Sequence, residues 1–223
     1  METLVTLKVS IVLQHIMEIK DRIKQKADEL FRTYGIKSVT MAEIASRLGV
    51  SKKTIYQTFS DKDELVDHVV GDLLATTQMC CLTDKQKATN AVHEIFLAME
   101  MVQQMFENMN PVILYDIERN HPATFQKFLQ HKNKFLLQVL KENIERGKKE
   151  ELYRNDINTD VIARIRLETM LLPFNPEIFP KNKFNLAELQ QQLIEHFLFG
   201  VATIKGHKLI LKYQQQNKKS LIR

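Results

Sequence analysis

Between Glu18 and Tyr34 the apolar residues Ile19, Ile23, Ala27, Leu30 and Phe31 recur at spacings of three and four, the mark of a helix with one buried stripe. Gly35 follows where a C-terminal cap needs a left-handed residue. A second, short helix opens at Thr40, which has capping-box spacing to Glu43, and Met41, Ile44, Ala45 and Leu48 form its inner face before Gly49. Ser51 caps a third helix, Lys52 to about Thr58, with Ile55 and Phe59 inward. Ser60–Asp63 is a further cap signature, starting a fourth helix with Leu65, Val69 and Leu73 at four-residue spacing.

Beyond Leu74 the predicted helices lengthen. Asp84–Asn108 carries Ala88, Val92, Ile95, Phe96, Met99, Val102 and Phe106 on one side. Asn110-Pro111 starts a short helix to Glu118, and His121-Pro122 starts the next, which continues through Ala123–Arg146 until Gly147. Thr159–Leu172 is a further helix. Pro173, Pro176 and Pro180 then force a loop, and Leu186 to about Tyr213 is the last helix.

With six Gly, five Pro and no Trp, little of the turn chemistry of a β-sandwich is present, so the fold class is all-α, with about nine helices in total. The organisation expected is an N-terminal extension at residues 1–17, a helix-turn-helix domain at 18–66, a larger helical domain at 67–213 and a basic tail at 214–223. Met17 begins a run that resembles a chain start, which is why residues 1–16 read as an upstream extension.

Charge adds less than the net +5 suggests. Residues 1–70 hold 11 Lys/Arg against 10 Asp/Glu, residues 71–204 hold 15 against 17, and the last nineteen hold six basic groups and no acid. The excess is mostly in the tail, so an acidic partner must be argued from where charges sit. Cys80 and Cys81 are adjacent and have no second pair to bridge with, which fits reduced thiols in a cytoplasmic protein. No apolar run approaches the ~18–20 residues that span a bilayer. The histidines are scattered and no two stand at i, i+4, so no metal site is expected. No nucleophile motif, phosphate loop or paired-carboxylate signature points to catalysis or a cofactor.

The segment Met41–Phe59 has the spacing of a helix-turn-helix, with Gly49 in the turn. Ile44, Ala45, Leu48, Val50 and Ile55 lock its two helices. The outer face of the second helix is polar throughout: Ser51, Lys52, Lys53, Thr54, Tyr56, Gln57 and Thr58. Such side chains serve phosphates and base edges in the major groove. Helix N-termini at Thr40, Ser51 and Ser60 offer amides suited to phosphate oxygens. Lys62, in a first turn where the macrodipole disfavours a cation, would gain from a phosphate there.

The string Thr40-Met-Ala-Glu-Ile-Ala45, Leu48-Gly-Val-Ser-Lys-Lys-Thr-Ile-Tyr-Gln-Thr-Phe59, then Lys62 and Glu64-Leu65, resembles the DNA-binding domain of the tetracycline-repressor (TetR) family. Tyr34-Gly35 matches the ending of the family's first helix. Thr58 stands where the family usually has His, and Lys53 where Gly is common. The resemblance implies that Thr40, Ser51, Tyr56 and Lys62 hold the DNA backbone while Lys52, Lys53, Thr54 and Gln57 face the groove. Lys52 or Lys53 would read guanine O6/N7.

The rest of the chain is similar, more loosely, to the family's helical effector domain. That similarity implies a small-molecule pocket, for which Phe96, Met99, Met105, Phe106, Tyr115 and Met170 offer an adaptable apolar lining. It also implies a homodimer through the last two helices, where Phe197, Gly200, Val201 and Ile204 are the expected contacts. Gly200, Ala202 and Gly206 suit close packing, either on a partner or inside one subunit. The function expected is a bacterial repressor that binds a near-palindromic double-stranded operator and is released by a small, largely apolar effector. The alternative is a helical ligand-binding or adaptor protein with a vestigial motif.

Overall fold

A computed structural model describes residues 2–220, with side chains described for residues 18–216. Its regular elements are α1 (Glu2–Tyr34), α2 (Met41–Leu48), α3 (Lys52–Thr58), α4 (Lys62–Lys87), α5 (Ala91–Phe106), α6 (Val112–Asn120), α7 (Pro122–Gln130), α8 (Leu137–Lys149), α9 (Thr159–Thr169), α10 (Leu186–Val201) and α11 (Ile204–Ser220). A π-helical segment, His131–Leu136, links α7 to α8, and a 3₁₀ turn, Leu172–Phe174, follows α9. No strand occurs among the described residues, only an isolated bridge between Tyr153 and Ala202. The all-α class holds. Among the described residues no helix is long and apolar enough to cross a membrane.

Among the described residues eleven α-helices replace the nine expected. The helix expected at Asp84–Asn108 starts only at Ala91, because Asn90 caps it and accepts the His93 amide at 2.8 Å. The last helix breaks at Ala202, which is extended. There residues 152–154 take the backbone partners: Thr203 donates to the Leu152 carbonyl, and Arg154 to that of Val201, both at 2.9 Å. Neither break carries a Pro. Helix α1 runs back to Glu2 rather than starting at Glu18. The side chains of the expected extension, residues 1–17, lie outside the described residues, as do those of Lys218, Lys219 and Arg223 in the expected tail.

The chain divides into two compact units: residues 1–73 with 112–125, and 74–111 with 126–223. The first unit thus includes α6, which the hydrophobic pattern had assigned to the second domain. The buried Asp116 carboxylate of α6 accepts the Lys37 amide at 2.9 Å, and Thr124, at the start of α7, donates to Asp67 at 3.1 Å. Gly35, at φ +83°, sits so close beneath Val112 and Asp116 that a Cβ would lie 2.7 Å from Val112 Cγ1. Its core is Ile23, Ala27, Leu30, Phe31, Ile36, Val39, Ile44, Ile55, Phe59 and Leu65, each buried.

The second unit has one core cluster, built from Val92, Ile95, Phe96 and Met99 of α5, Ile144 of α8, Ile194, Leu198 and Val201 of α10 and Ile210 of α11. Tyr153 is fully buried beside Gly147, where a Cβ would overlap its ring at 1.9 Å.

Candidate nucleic-acid interface

The site begins with two capped helices and the turn between them. Thr40 accepts the Glu43 amide at 3.1 Å, and Gly49, at φ +68°, returns its amide to the last turn of α2. Nothing crowds Gly49, so its role is purely conformational. Ser51 accepts the Thr54 amide at 3.0 Å, and its hydroxyl lies 2.8 Å from that of Thr54. Helix α3 is then anchored from beneath by Ile55 and Phe59, both with no exposed surface. Burying two such side chains contributes roughly 1.5–3 kcal/mol each, which fixes a seven-residue helix too short to stand alone.

Anchoring one face presents the other. Lys52, Lys53, Tyr56 and Gln57 are exposed, and Thr54 and Thr58 are half-buried. The Lys52 ammonium lies 5.7 Å from the Tyr56 ring centroid, a cation–π contact that orders both tips. Thr58 turns its hydroxyl back to the Thr54 carbonyl at 3.0 Å, so it stands apart from the outward set. The structure therefore brings Ser51, Lys52, Lys53, Thr54, Tyr56 and Gln57 together on one short helix, with Thr40 at the start of the preceding one.

The third helix end differs from expectation. The cap of α4 is Asp61, whose carboxylate accepts the Glu64 amide at 2.8 Å, while Glu64 accepts the Ser60 amide at 2.7 Å. Hydrogen bonds from Ser60 hold the Glu64 carboxyl below its ordinary range. Carboxylates thus occupy the Glu64 and Ser60 amides at this helix end. Lys62 is also engaged internally: its ammonium donates to the carbonyls of Ile36 and Val39, both at 2.6 Å. Burial lowers its pKa against the upward pull of Asp116 and Asp63. Sequence reading missed this clamp and the Asp116 bond, since nothing local signals partners 26, 23 and 79 positions away.

Of the residues expected to line a pocket, Phe96, Met99, Met105, Phe106 and Met170 belong to the second unit and Tyr115 to the first. Phe96 and Met99 are buried in the second unit's core, with Phe96 5.2 Å from the Tyr213 ring. Phe106 packs edge-on to Phe174 at 5.5 Å, Met105 and Met170 are half-buried, and Tyr115 is exposed on α6 of the first unit, bonded by Arg119. A surface groove of about 650 Å³ is lined instead by Leu152, Ile204, Lys205, Lys208, Leu209 and Lys212.

Of the expected dimer contacts, Val201 is only 2% exposed and belongs to the core, which corrects its assignment. Phe197 packs against that core, Gly200 is exposed and Ile204 is 80% exposed. Gly206 packs inside the subunit, where a Cβ would meet the Leu152 carbonyl oxygen at 2.1 Å.

A capped helix pair with a left-handed glycine turn and an anchored, outward polar helix makes this a helix-turn-helix transcriptional regulator. Residues 23–69 match the family model "Bacterial regulatory proteins, tetR family". The chain is 25% identical to an uncharacterized HTH-type transcriptional regulator, YvaF of Bacillus subtilis, over 81% of its own length and 94% of that protein's. It is 21% identical to the HTH-type transcriptional repressor KstR2 of Mycolicibacterium smegmatis, over 85% and 93%. Among solved structures, a TetR-family regulator from Agrobacterium tumefaciens shares the fold with TM-score 0.71 at 15% identity, covering 84% of this chain and 100% of that one. The N-terminal segment is thus similar to the DNA-binding domain of the TetR family, and the chain along most of its length to HTH-type transcriptional regulators.

Proposed function

We propose that this regulator is a cytoplasmic repressor, acting as a homodimer on a near-palindromic operator and released by a small, largely apolar effector held in its second unit. The exposed polar face of α3, with Ile55 and Phe59 sealed beneath it, carries the reading. One such helix reads only a few base pairs, so specificity needs two half-sites about 34–36 Å apart, which a dimer supplies. Lys53 or Lys52 reads guanine, Gln57 and Thr54 face the groove, and Thr40, Ser51 and Tyr56 hold phosphates. Ile204 and Gly200 offer outward surface for a second copy. An effector acts by binding more tightly to the dimer whose recognition helices are wrongly spaced.

The test is fluorescence anisotropy against a randomised palindromic DNA library, repeated across salt concentrations. The expected outcome is a selected sequence whose affinity falls steeply with salt. Lys53→Ala should relax preference at one position of each half-site by ~1–3 kcal/mol. No binding to any DNA at low salt would favour an adaptor whose motif is vestigial.

A further inference from the structure

Two cationic side chains are buried among the described residues, Lys132 and Arg166, each 6% exposed. Lys132 is paired with Glu168 at 2.9 Å. Arg166, on α9, has no ion pair among the described residues. Of its five N–H donors, one reaches the Thr169 hydroxyl, at 3.4 Å, and that hydroxyl is already donating to the Arg166 carbonyl at 2.9 Å. The guanidinium otherwise lies 6.0 Å from the Phe197 ring of α10. Burial, with no acid to oppose it, lowers its pKa to about 10, so it stays charged at neutral pH. A buried charge without a counter-charge is costly, and the other cations at the edge of this unit's core avoid that cost. Arg146, for example, binds both Glu94 and Glu150.

We infer that Arg166 is an anion receptor: its guanidinium fork takes the carboxylate of a small organic acid, whose apolar body lies beside Phe197. This rests on reading the second unit as the effector domain. The charge balance favours a monoanion, because Lys132, the other buried cation, is already neutralised by Glu168. The planar fork favours a carboxylate held through two parallel bonds. The flanks are apolar, since Ala163 and Met170, one turn to either side on the same face of α9 or its end, are buried and half-buried.

The test measures thermal unfolding and calorimetric binding of the full chain with butyrate, octanoate, dodecanoate and benzoate, and with octanol and inorganic phosphate as controls. At least one carboxylate should raise the wild-type midpoint while octanol and phosphate do not. Arg166→Met, which keeps volume but removes charge, should weaken that binding about tenfold or more, and Arg166→Lys should weaken it less. Without ligand, Arg166→Met should be as stable as wild type or more so, because an uncompensated charge is gone. The inference is overturned if no carboxylate shifts the midpoint, if Arg166→Met binds like wild type, if octanol matches octanoate, or if only phosphate binds. Operator binding is followed separately. Carboxylate binding that leaves the operator complex intact upholds the receptor and sinks the effector reading. Release by a neutral apolar compound, with no carboxylate bound, does the reverse.

Discussion

Lys62 separates two accounts of the same position in the motif, and Lys62→Met tests them. Its ammonium donates to two buried-residue carbonyls, Ile36 and Val39, at 2.6 Å each. A hydrogen bond from a charged donor is worth about 1.5–3 kcal/mol, so the pair gives roughly 3–6 kcal/mol before its costs. Ordering the long stem takes back up to about 2 kcal/mol, and half-burying the ammonium takes more. The net loss expected for Lys62→Met is about 2 kcal/mol, a large share of a typical total of ~5–15 kcal/mol. Methionine keeps the apolar stem, so the change isolates the two bonds.

The measurement is urea unfolding followed by circular dichroism, with hydrogen exchange at the Val39 amide as a local reading. That amide donates to the Ile36 carbonyl at 3.3 Å, so it should lose protection when the segment Gly35–Val39 is released. A lysine serving only a phosphate would give a different result. Stability would change by less than ~0.5 kcal/mol, and the salt slope of DNA binding would fall by about one. An unmoved unfolding midpoint with unchanged Val39 protection would refute the clamp.

Gly206→Ala should cost ~1–3 kcal/mol or more by overpacking against the Leu152 carbonyl, which melting curves of the variant and the parent check. Burial holds the Glu94 carboxyl above its ordinary value despite Asn143 and Arg146. A raised folded-state pKa means that the folded chain binds this proton more tightly, so its contribution is full below 4.5 and is lost as pH rises through the raised value. Glu94→Gln should abolish that loss in denaturation curves taken across the window, and a parallel pH dependence in both proteins would contradict it.

The helix-turn-helix was legible because its signals are local. Thr40, Gly49 and Ser51 act on amides within a few residues, and Ile55 and Phe59 follow helical period, so caps, turn and anchored face all follow from spacing. The break at Ala202 was not legible, because its cause is the strand-like run at residues 152–154, fifty positions upstream. The place of α6 in the first unit depends on Asp116 meeting the Lys37 amide, and an acidic residue on a short amphipathic helix carries no mark of such a partner. Val201 failed as a dimer contact for a related reason: an apolar residue on the last helices has the same pattern whether it faces a partner or its own core.

Basic residues show most clearly where sequence stops and packing decides. Lys53, Lys62, Lys132 and Arg166 are alike in formal charge, yet one is exposed on α3, one ties two carbonyls, one is sealed against Glu168, and one has no counter-charge. Coulomb energy depends on distance and on the surrounding dielectric far more than on residue type, so net charge over a segment says little about which cations can meet a ligand. The first 70 residues are nearly neutral in sum, but Lys62 is withdrawn into the fold while Lys52 and Lys53 stay outside. The charge offered by α3 to an acidic partner is therefore set by which lysines the core has left unused.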